Sequence, residues 1–449
     1  MKTFSINHLR NAIGIDDAVF FNIFARLIQA IGGVLILFLI PLYLTPVEQG
    51  YYFTFISFAS IQIFFELGFN TIITQFVAHE TADISWENNK YTGNPNSISR
   101  LSSLLRFCAK WFMIASIFLF VALIIIGFLF LEKKETNNIN WTSPWIIMSL
   151  STALSLILSP IIAITEGLGM VLNSAQLKLK QYTIQYILIP IFLLINFKLY
   201  AYPSAQFISI IFALIFIFNS GIIKRIICIY KNKVTVRIDY KKEIFPLQLK
   251  TSITWIGGYF ISQALIPIIF VKYGAVLAGK VGLTFSIISS IAIVSTSIIN
   301  TKIPTFAKLI AKKDFLNLDD LFKKTFTQGI SLLFLLLMLF VLSTIVLRHY
   351  NVAFMNKLLV SKQILLFSVT ILFNQIVYYL ATYLRSFKKE PFMIISLFIG
   401  LSSLGAIYLG NYLFKFDGLM YGYSLVMIFP NLLISIWQYK RKRTLYQSI

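Results

Sequence analysis

Asn22, Arg26 and Gln29 follow one another at intervals of four and three residues, and Gln62, Glu66, Asn70 and Thr74 at intervals of four. On a continuous helix each set shares a face, so each reads as a polar stripe, one carrying a guanidinium and the other a carboxylate. Such groups can hold an anion, carry a proton, or neutralise each other. Two further stripes offer only neutral hydrogen-bonding groups: Thr370, Asn374, Tyr378 and Thr382, and Ser286, Ser290 and Ser297 with Asn300. Constellations for covalent or metal chemistry are missing. The only histidines, His8, His79 and His349, lie far apart without ligand spacing. The two cysteines, Cys108 and Cys228, read as reduced structural thiols at helix ends. The run Gly274-Ala-Val-Leu-Ala-Gly279-Lys280-Val281 nearly matches a phosphate-cradling loop. However, Val281 stands where the motif needs Ser or Thr, and the run opens a helix rather than following a strand. The expectation is a protein without metal, cofactor or catalytic centre.

These stripes matter because of the elements that carry them. At 449 residues, 58% hydrophobic and 12% charged, with mean hydropathy +0.80, the chain has too little polar surface to clothe a soluble globule. Runs such as Ile114 to Leu131, Ser331 to Leu347 and Phe392 to Leu409 are long enough to cross roughly 30 Å of hydrocarbon. At that depth only helices satisfy their backbone in such segments. The sequence predicts an all-α polytopic membrane protein with about twelve transmembrane helices: 19–44, 50–78, 104–131, 144–165, 182–197, 204–227, 251–271, 276–301, 327–347, 364–384, 392–412 and 418–437. The first eighteen residues include Asp16 and Asp17 and no signal-peptide pattern, so the first span is expected to act as its own insertion signal.

The formal charge of +22 is unevenly distributed. About 29 cations fall on one side of the spans and about 8 on the other. The first group includes Lys2, Arg10, the cluster from Lys224 to Lys250, that from Lys302 to Lys324, Arg385, Lys388, Lys389 and the tail Lys440 to Arg443. The positive-inside rule then places both termini in the cytoplasm, in agreement with an even number of spans. Nucleic-acid binding would need a basic face on a soluble element, whereas here the cations are dispersed over short loops. The stretches 224–250 and 302–324 mix cations with apolar residues, as interfacial amphipathic helices on anionic lipid do; a solvated charged linker reads equally well. The first of them divides the spans six and six, which suggests two lobes, 1–235 and 236–449, built from parallel repeats.

Arg26 lies about 10 Å into the first span. An arginine near a helix centre costs about 2.5–3.5 kcal/mol on insertion scales, so it needs a partner or a cavity. Glu66 sits within the second span, at a depth where a structural ion pair with Arg26 is plausible. A transport lumen lined by Arg26, Gln29, Gln62, Glu66, Asn70, Thr74, Lys272, Lys280, Asn374 and Tyr378 is the functional alternative, and the two roles are compatible. Lys272 and Lys280 bracket a short outer turn. Lys280 reads either as snorkelling to headgroups or as lining an outer vestibule. The third, sixth and ninth spans are nearly featureless and are expected to face lipid.

Several short segments resemble a known family. Leu44-Thr45-Pro46-Val47-Glu48-Gln49-Gly50-Tyr51-Tyr52 after the first span is similar to the corresponding turn of bacterial polysaccharide exporters. So are Phe65-Glu66-Leu67-Gly68-Phe69 leading to Gln75 and Ala78-His79-Glu80, Glu166-Gly167-Leu168-Gly169, and Gly282-Leu283-Thr284-Phe285-Ser286. With the length and span count, the chain resembles the O-antigen flippases of the polysaccharide transporter family, in the multidrug/oligosaccharidyl-lipid/polysaccharide (MOP) exporter superfamily. The resemblance implies two six-helix lobes around a V-shaped central cavity that opens alternately to either side. It implies a cargo of undecaprenyl-pyrophosphate-linked sugar repeat units moved from the cytoplasmic to the periplasmic leaflet of the inner membrane. It also implies work beside a polysaccharide polymerase and a chain-length regulator, and an arginine on the first span, which Arg26 matches. No ion-coupling motif carries over.

The physics suits that cargo. A pyrophosphate brings about two negative charges, and arginine binds phosphate bidentately. Moving negative charge outward across an inside-negative membrane gains about 2.3 kcal/mol per charge per 100 mV, or roughly 4–5 kcal/mol for two. Glu66 could carry a proton in exchange. A multidrug exporter of the same superfamily would share the fold. A membrane polymerase or glycosyltransferase would be expected to show a large outer loop with catalytic residues, whereas the first outer loop holds only Glu48. A structural scaffold would leave the buried Arg and Glu unexplained.

Overall fold

A computed structural model of the chain describes residues 17–132, 139–387 and 389–447. Lys2, His8, Arg10, Asp16 and Lys388, named above, lie outside the described residues. The all-α, multi-pass membrane architecture expected from hydropathy is what the structure shows. Among the described residues, nine helical stretches are long and apolar enough to cross a membrane, or ten if one bent pair counts as a span.

The described residues form two compact units, one of residues 17–43 and 61–249, the other of 44–60 and 250–447. The first unit contains α1 (Asp17–Tyr43), α3 (Ile63–Glu66), α4 (Phe69–Thr81), α5 (Pro95–Phe130), α6 (Thr142–Gly167), α7 (Val171–Leu194), α8 (Ala201–Asn219) and α9 (Ile222–Tyr230). Within it α1 packs on α7, α7 on α8, and α6 on α4, α5 and α8. Gly32 of α1 permits a close approach to α7, because a Cβ there would lie 2.6 Å from Cδ1 of Tyr186. A short antiparallel hairpin, β1 (Ile84–Glu87) and β2 (Lys90–Gly93), joins α4 to α5, an element the hydropathy did not announce.

The second unit contains α2 (Pro46–Ala59), most of α10 (Phe245–Ser262), α11 (Leu265–Tyr273), α12 (Ala275–Asn300), α13 (Ile303–Ala311), α14 (Phe315–His349), α15 (Ser361–Arg385), α16 (Met393–Ile428) and α17 (Pro430–Gln447). Its α2 is capped by Thr45, whose backbone N–H donates to Glu48 Oε2 at 2.8 Å while the Glu48 N–H donates back to Thr45 Oγ1 at 3.3 Å. Pro46 occupies the first turn, where its missing N–H has no cost. Nearly every residue of α2 from Glu48 to Ala59 is buried, and Gly50 presses directly on the backbone of Ala275 in α12. The Thr-Pro-Val-Glu-Gln-Gly segment is thus a helix start followed by a close helix contact.

Four of the predicted spans are not simple separate rods. The second breaks after Glu66, where Leu67 (φ 49°) and Gly68 (φ 67°) both take left-handed backbone conformations. The seventh bends by 40° between Ser262 and Leu265. The last two form one apolar stretch, Met393–Gln447, that reverses at Phe414 and Lys415, with the backbones of Gly410 and Gly418 in contact across the reversal. The fifth predicted span corresponds to α7, which begins eleven residues earlier than expected and carries Lys178 and Lys180; it is not among the nine apolar stretches.

The basic stretch 224–250 is neither a free linker nor only a surface helix. After α9 the chain is tied to α5: Ser99 Oγ accepts the backbone N–H groups of Thr235 and Val236, both at 2.8 Å. Arg106 donates to the carbonyls of Tyr230 and Asn232. Arg100 bridges Glu80 at 2.8 Å and Glu243 at 2.6 Å. These hydrogen bonds hold the Glu243 carboxyl below the usual carboxylate range. In the second unit α13 buries Phe306 in a core with Leu318, Phe322, Tyr379 and Tyr383 while Lys308 stays exposed.

Candidate functional site

The polar residues singled out in the sequence fall into separate clusters. Arg26 is exposed on α1, within electrostatic reach of the Tyr182 hydroxyl on α7. One turn further, Gln29 comes close to the Tyr186 hydroxyl, and Gln185 of α7 comes close to that of Tyr202 on α8. Asn22, by contrast, turns back on its own helix and donates to the Ala18 carbonyl at 2.9 Å. Among the described residues no carboxylate pairs with Arg26.

The ion pair of Arg26 with Glu66 is accordingly not formed. Glu66 Oε1 instead accepts a hydrogen bond from Gln62 Nε2 at 2.6 Å, and Gln62 Oε1 accepts one from Ser155 of α6 at 2.8 Å. The stripe expected from four-residue spacing is interrupted, because the left-handed pair Leu67 and Gly68 resets the helical phase between Glu66 and Asn70. For Leu67 this conformation costs on the order of 1–3 kcal/mol, which surrounding structure must offset. Strain of this kind clusters at functional sites. Beyond the break, Thr74 Oγ1 bonds the carbonyls of Asn70 and Ala163, at 3.1 and 3.2 Å, and so ties α4 to α6. The Asn70 Oδ1 atom is buried without a hydrogen-bond partner among the described residues.

In the second unit the amide and hydroxyl groups meet one another. Asn374 Oδ1 accepts from Asn431 at 3.0 Å, Tyr378 donates to Asn300 at 3.1 Å, and Gln375 donates to Thr296 at 2.9 Å. Ser290, Ser297, Thr370 and Thr382 hydrogen-bond the carbonyls of their own helices. Lys272 is exposed with its Nζ 4.7 Å from the Tyr408 ring centroid. Lys280 is half-buried near the start of α12, and Gly279 beside it packs against the backbone of Pro46 and Gly50. The near-match to a phosphate loop is therefore a helix-packing surface.

The sequence reading missed Tyr182, Gln185, Tyr186 and Ser155. The first three sit at three- and four-residue spacing on one helix, but the span was placed to begin at Tyr182. It also passed over the pair of Glu166 with Lys178 at 2.5 Å, which joins the end of α6 to α7 with Ser174 as a further donor. Among the described residues no group of His, Cys, Asp and Glu could hold a metal ion.

No protein-family model matches the sequence, and no curated protein matches it. Solved structures do. A MATE transporter in its straight conformation is similar with TM-score 0.60 and 11% identity over 96% of each chain. A MOP-superfamily transporter from Pyrococcus furiosus gives TM-score 0.59 and 11% identity, covering 96% of this chain and 95% of that one. An inward-facing multidrug resistance transporter of the MATE family gives 0.56 and 14%, covering 93% and 98%. At such identities the likeness concerns the fold alone, and on that ground the chain has the fold of the MATE-family transporters of the MOP superfamily.

Proposed function

We propose that this protein is a flippase for lipid-linked sugar repeat units of the O-antigen type. It would carry an undecaprenyl-pyrophosphate-linked repeat from the cytoplasmic to the periplasmic leaflet of a bacterial inner membrane by alternating access, with both termini cytoplasmic. The observation that carries this reading is Arg26, a guanidinium within a span, without a carboxylate partner among the described residues and beside tyrosine and glutamine side chains. A charge in that position is costly unless an anion meets it, and a pyrophosphate joined to a sugar supplies both the anion and partners for hydroxyl and amide groups. The membrane potential and a proton on Glu66 are the two candidate drives, and a polysaccharide polymerase and chain-length regulator are the expected partners.

A second reading, a MATE-like multidrug exporter, is favoured by Glu66, a carboxylate at a helix break that could meet a cationic drug. Pocket polarity varies on this fold: the Pyrococcus furiosus transporter has a binding pocket of reverse polarity, which suggests a different function for it. The deciding experiment measures radiolabelled lipid-linked repeats on the cytoplasmic face of cells lacking the protein, together with their drug sensitivity. Accumulation without sensitisation supports the flippase; sensitisation without accumulation supports the drug exporter.

A further inference from the structure

We infer that the groove between α7 and α8 is a specific site for one anionic phospholipid. The groove has a volume of about 600 Å³ and is lined by Leu179, Lys180, Thr183, Ile184, Phe212, Ile215, Phe216, Asn219 and Ser220. All of these belong to the first unit, and the inference is independent of the cargo proposed above.

The lining is graded. The two helices are successive in the chain and run in opposite directions, and Lys180 of α7 lies over Phe216 of α8, so Lys180 sits toward the end of the groove that holds Asn219 and Ser220. Moving away from that end, α7 offers Thr183 and Ile184 about one turn on, and α8 offers Phe216, Ile215 and Phe212 over about 10 Å of helix. Positions 212, 215, 216 and 219 fall at the spacing of a single helical face. One end therefore suits a hydrated headgroup and the rest suits an aliphatic chain, a division that a soluble phosphate would not use.

Charge selects the headgroup. Lys178, two residues before Lys180, is neutralised by Glu166 at 2.5 Å. Lys180 has no carboxylate partner among the described residues, and its Nζ lies 3.9 Å from the Phe216 ring centroid, drawn over the groove. An ammonium held over an aromatic ring at the water boundary keeps its charge for an external anion. Asn219 makes no side-chain hydrogen bond among the described residues, which leaves it to donate to a phosphate oxygen.

The test is native mass spectrometry of the full-length protein released from detergent containing equal phosphatidylglycerol and phosphatidylcholine. The wild-type protein should retain one phosphatidylglycerol per chain, and Lys180→Ala should lower that retention at least fivefold. Lys180→Arg should restore it, Ile184→Trp should evict the lipid by filling the groove, and Lys224→Ala, on the neighbouring helix, should change nothing. Unchanged melting temperatures would show that the variants are folded. Equal retention by wild type and Lys180→Ala, or retention of phosphatidylcholine as readily as phosphatidylglycerol, would overturn the inference. So would displacement by an equal amount of undecaprenyl phosphate, which would assign the groove to a polyprenyl lipid instead.

Discussion

Within the first unit, Arg26 and Glu66 carry ionisable groups in spans with only neutral partners among the described residues, Tyr182 on one side and Gln62 on the other. Within the second, Asn374, Tyr378 and Gln375 meet Asn431, Asn300 and Thr296 in closed neutral pairs. A neutral pair in a span satisfies its own hydrogen bonds and needs nothing from outside, whereas an unneutralised charge is stable only in water or against a ligand. On the function proposed above, the contrast would place the contact with cargo in the first unit and leave the polar residues of the second to hold helices together. At the helix ends the units are more alike, each binding an arginine to acid. Arg100 of α5 holds Glu80 and Glu243, while Arg443 of α17 holds Asp319 of α14, to which Tyr383 donates at 2.6 Å.

The strongest way to break this comparison is to remove the charge and one neutral pair in parallel. Arg26→Ala should abolish most export at normal protein level, a loss of about 2–5 kcal/mol of cargo interaction if the arginine meets phosphate. Asn374→Ala should leave export within a few-fold of wild type. Both are read as lipid-linked repeats left on the cytoplasmic face, and equal losses would reject the division of labour. Next in size is the α1 and α7 contact that supports the charged face. Gly32→Ala forces a Cβ against the Tyr186 ring and should destabilise the protein by about 1–3 kcal/mol. Gly33→Ala meets nothing within 4 Å and should be neutral or slightly stabilising, as thermal melting in detergent would reveal.

A smaller effect is expected from acid. Because Arg100 lowers the Glu243 value, the contribution of this pair is complete above the ordinary carboxylate pKa of about 4.3 and is lost as the pH falls through the lowered value. Hydrogen exchange at 230–244 should therefore rise only below about pH 4, and Arg100→Gln should bring the same rise at neutral pH. Smallest in stability terms is Glu66→Gln, since the amide oxygen of a glutamine at this position still accepts the Gln62 hydrogen bond and the change should cost less than about 1 kcal/mol. Its value lies in export measured with and without a proton gradient. Unaltered gradient dependence would remove Glu66 from proton exchange.

Much of this architecture was legible in the order of the amino acids. The apolar runs dictated membrane spans because the bilayer leaves a long apolar segment no other way to satisfy its backbone. The polar residues within those spans stood out because each is costly in lipid. Less legible was which polar residues meet. Four-residue spacing joined Glu66 to Asn70 on the premise of an unbroken helix, yet Leu67 and Gly68 turn the chain there. Tyr182 and Tyr186 gain meaning only from the packing of α7 against Arg26 and Gln29.

The chain by itself determined the elements: where helices begin, as in the Thr45 and Glu48 cap, and which segments are apolar enough for lipid, because these are consequences of local chemistry. Only the tertiary structure decided the partnerships. It placed residues 44–60 with α12 through the contact of Gly50 on Ala275, left Arg26 without an acid among the described residues, and opened the groove beside Lys180. Each of these depends on how closely two distant helices approach, a distance no local pattern encodes.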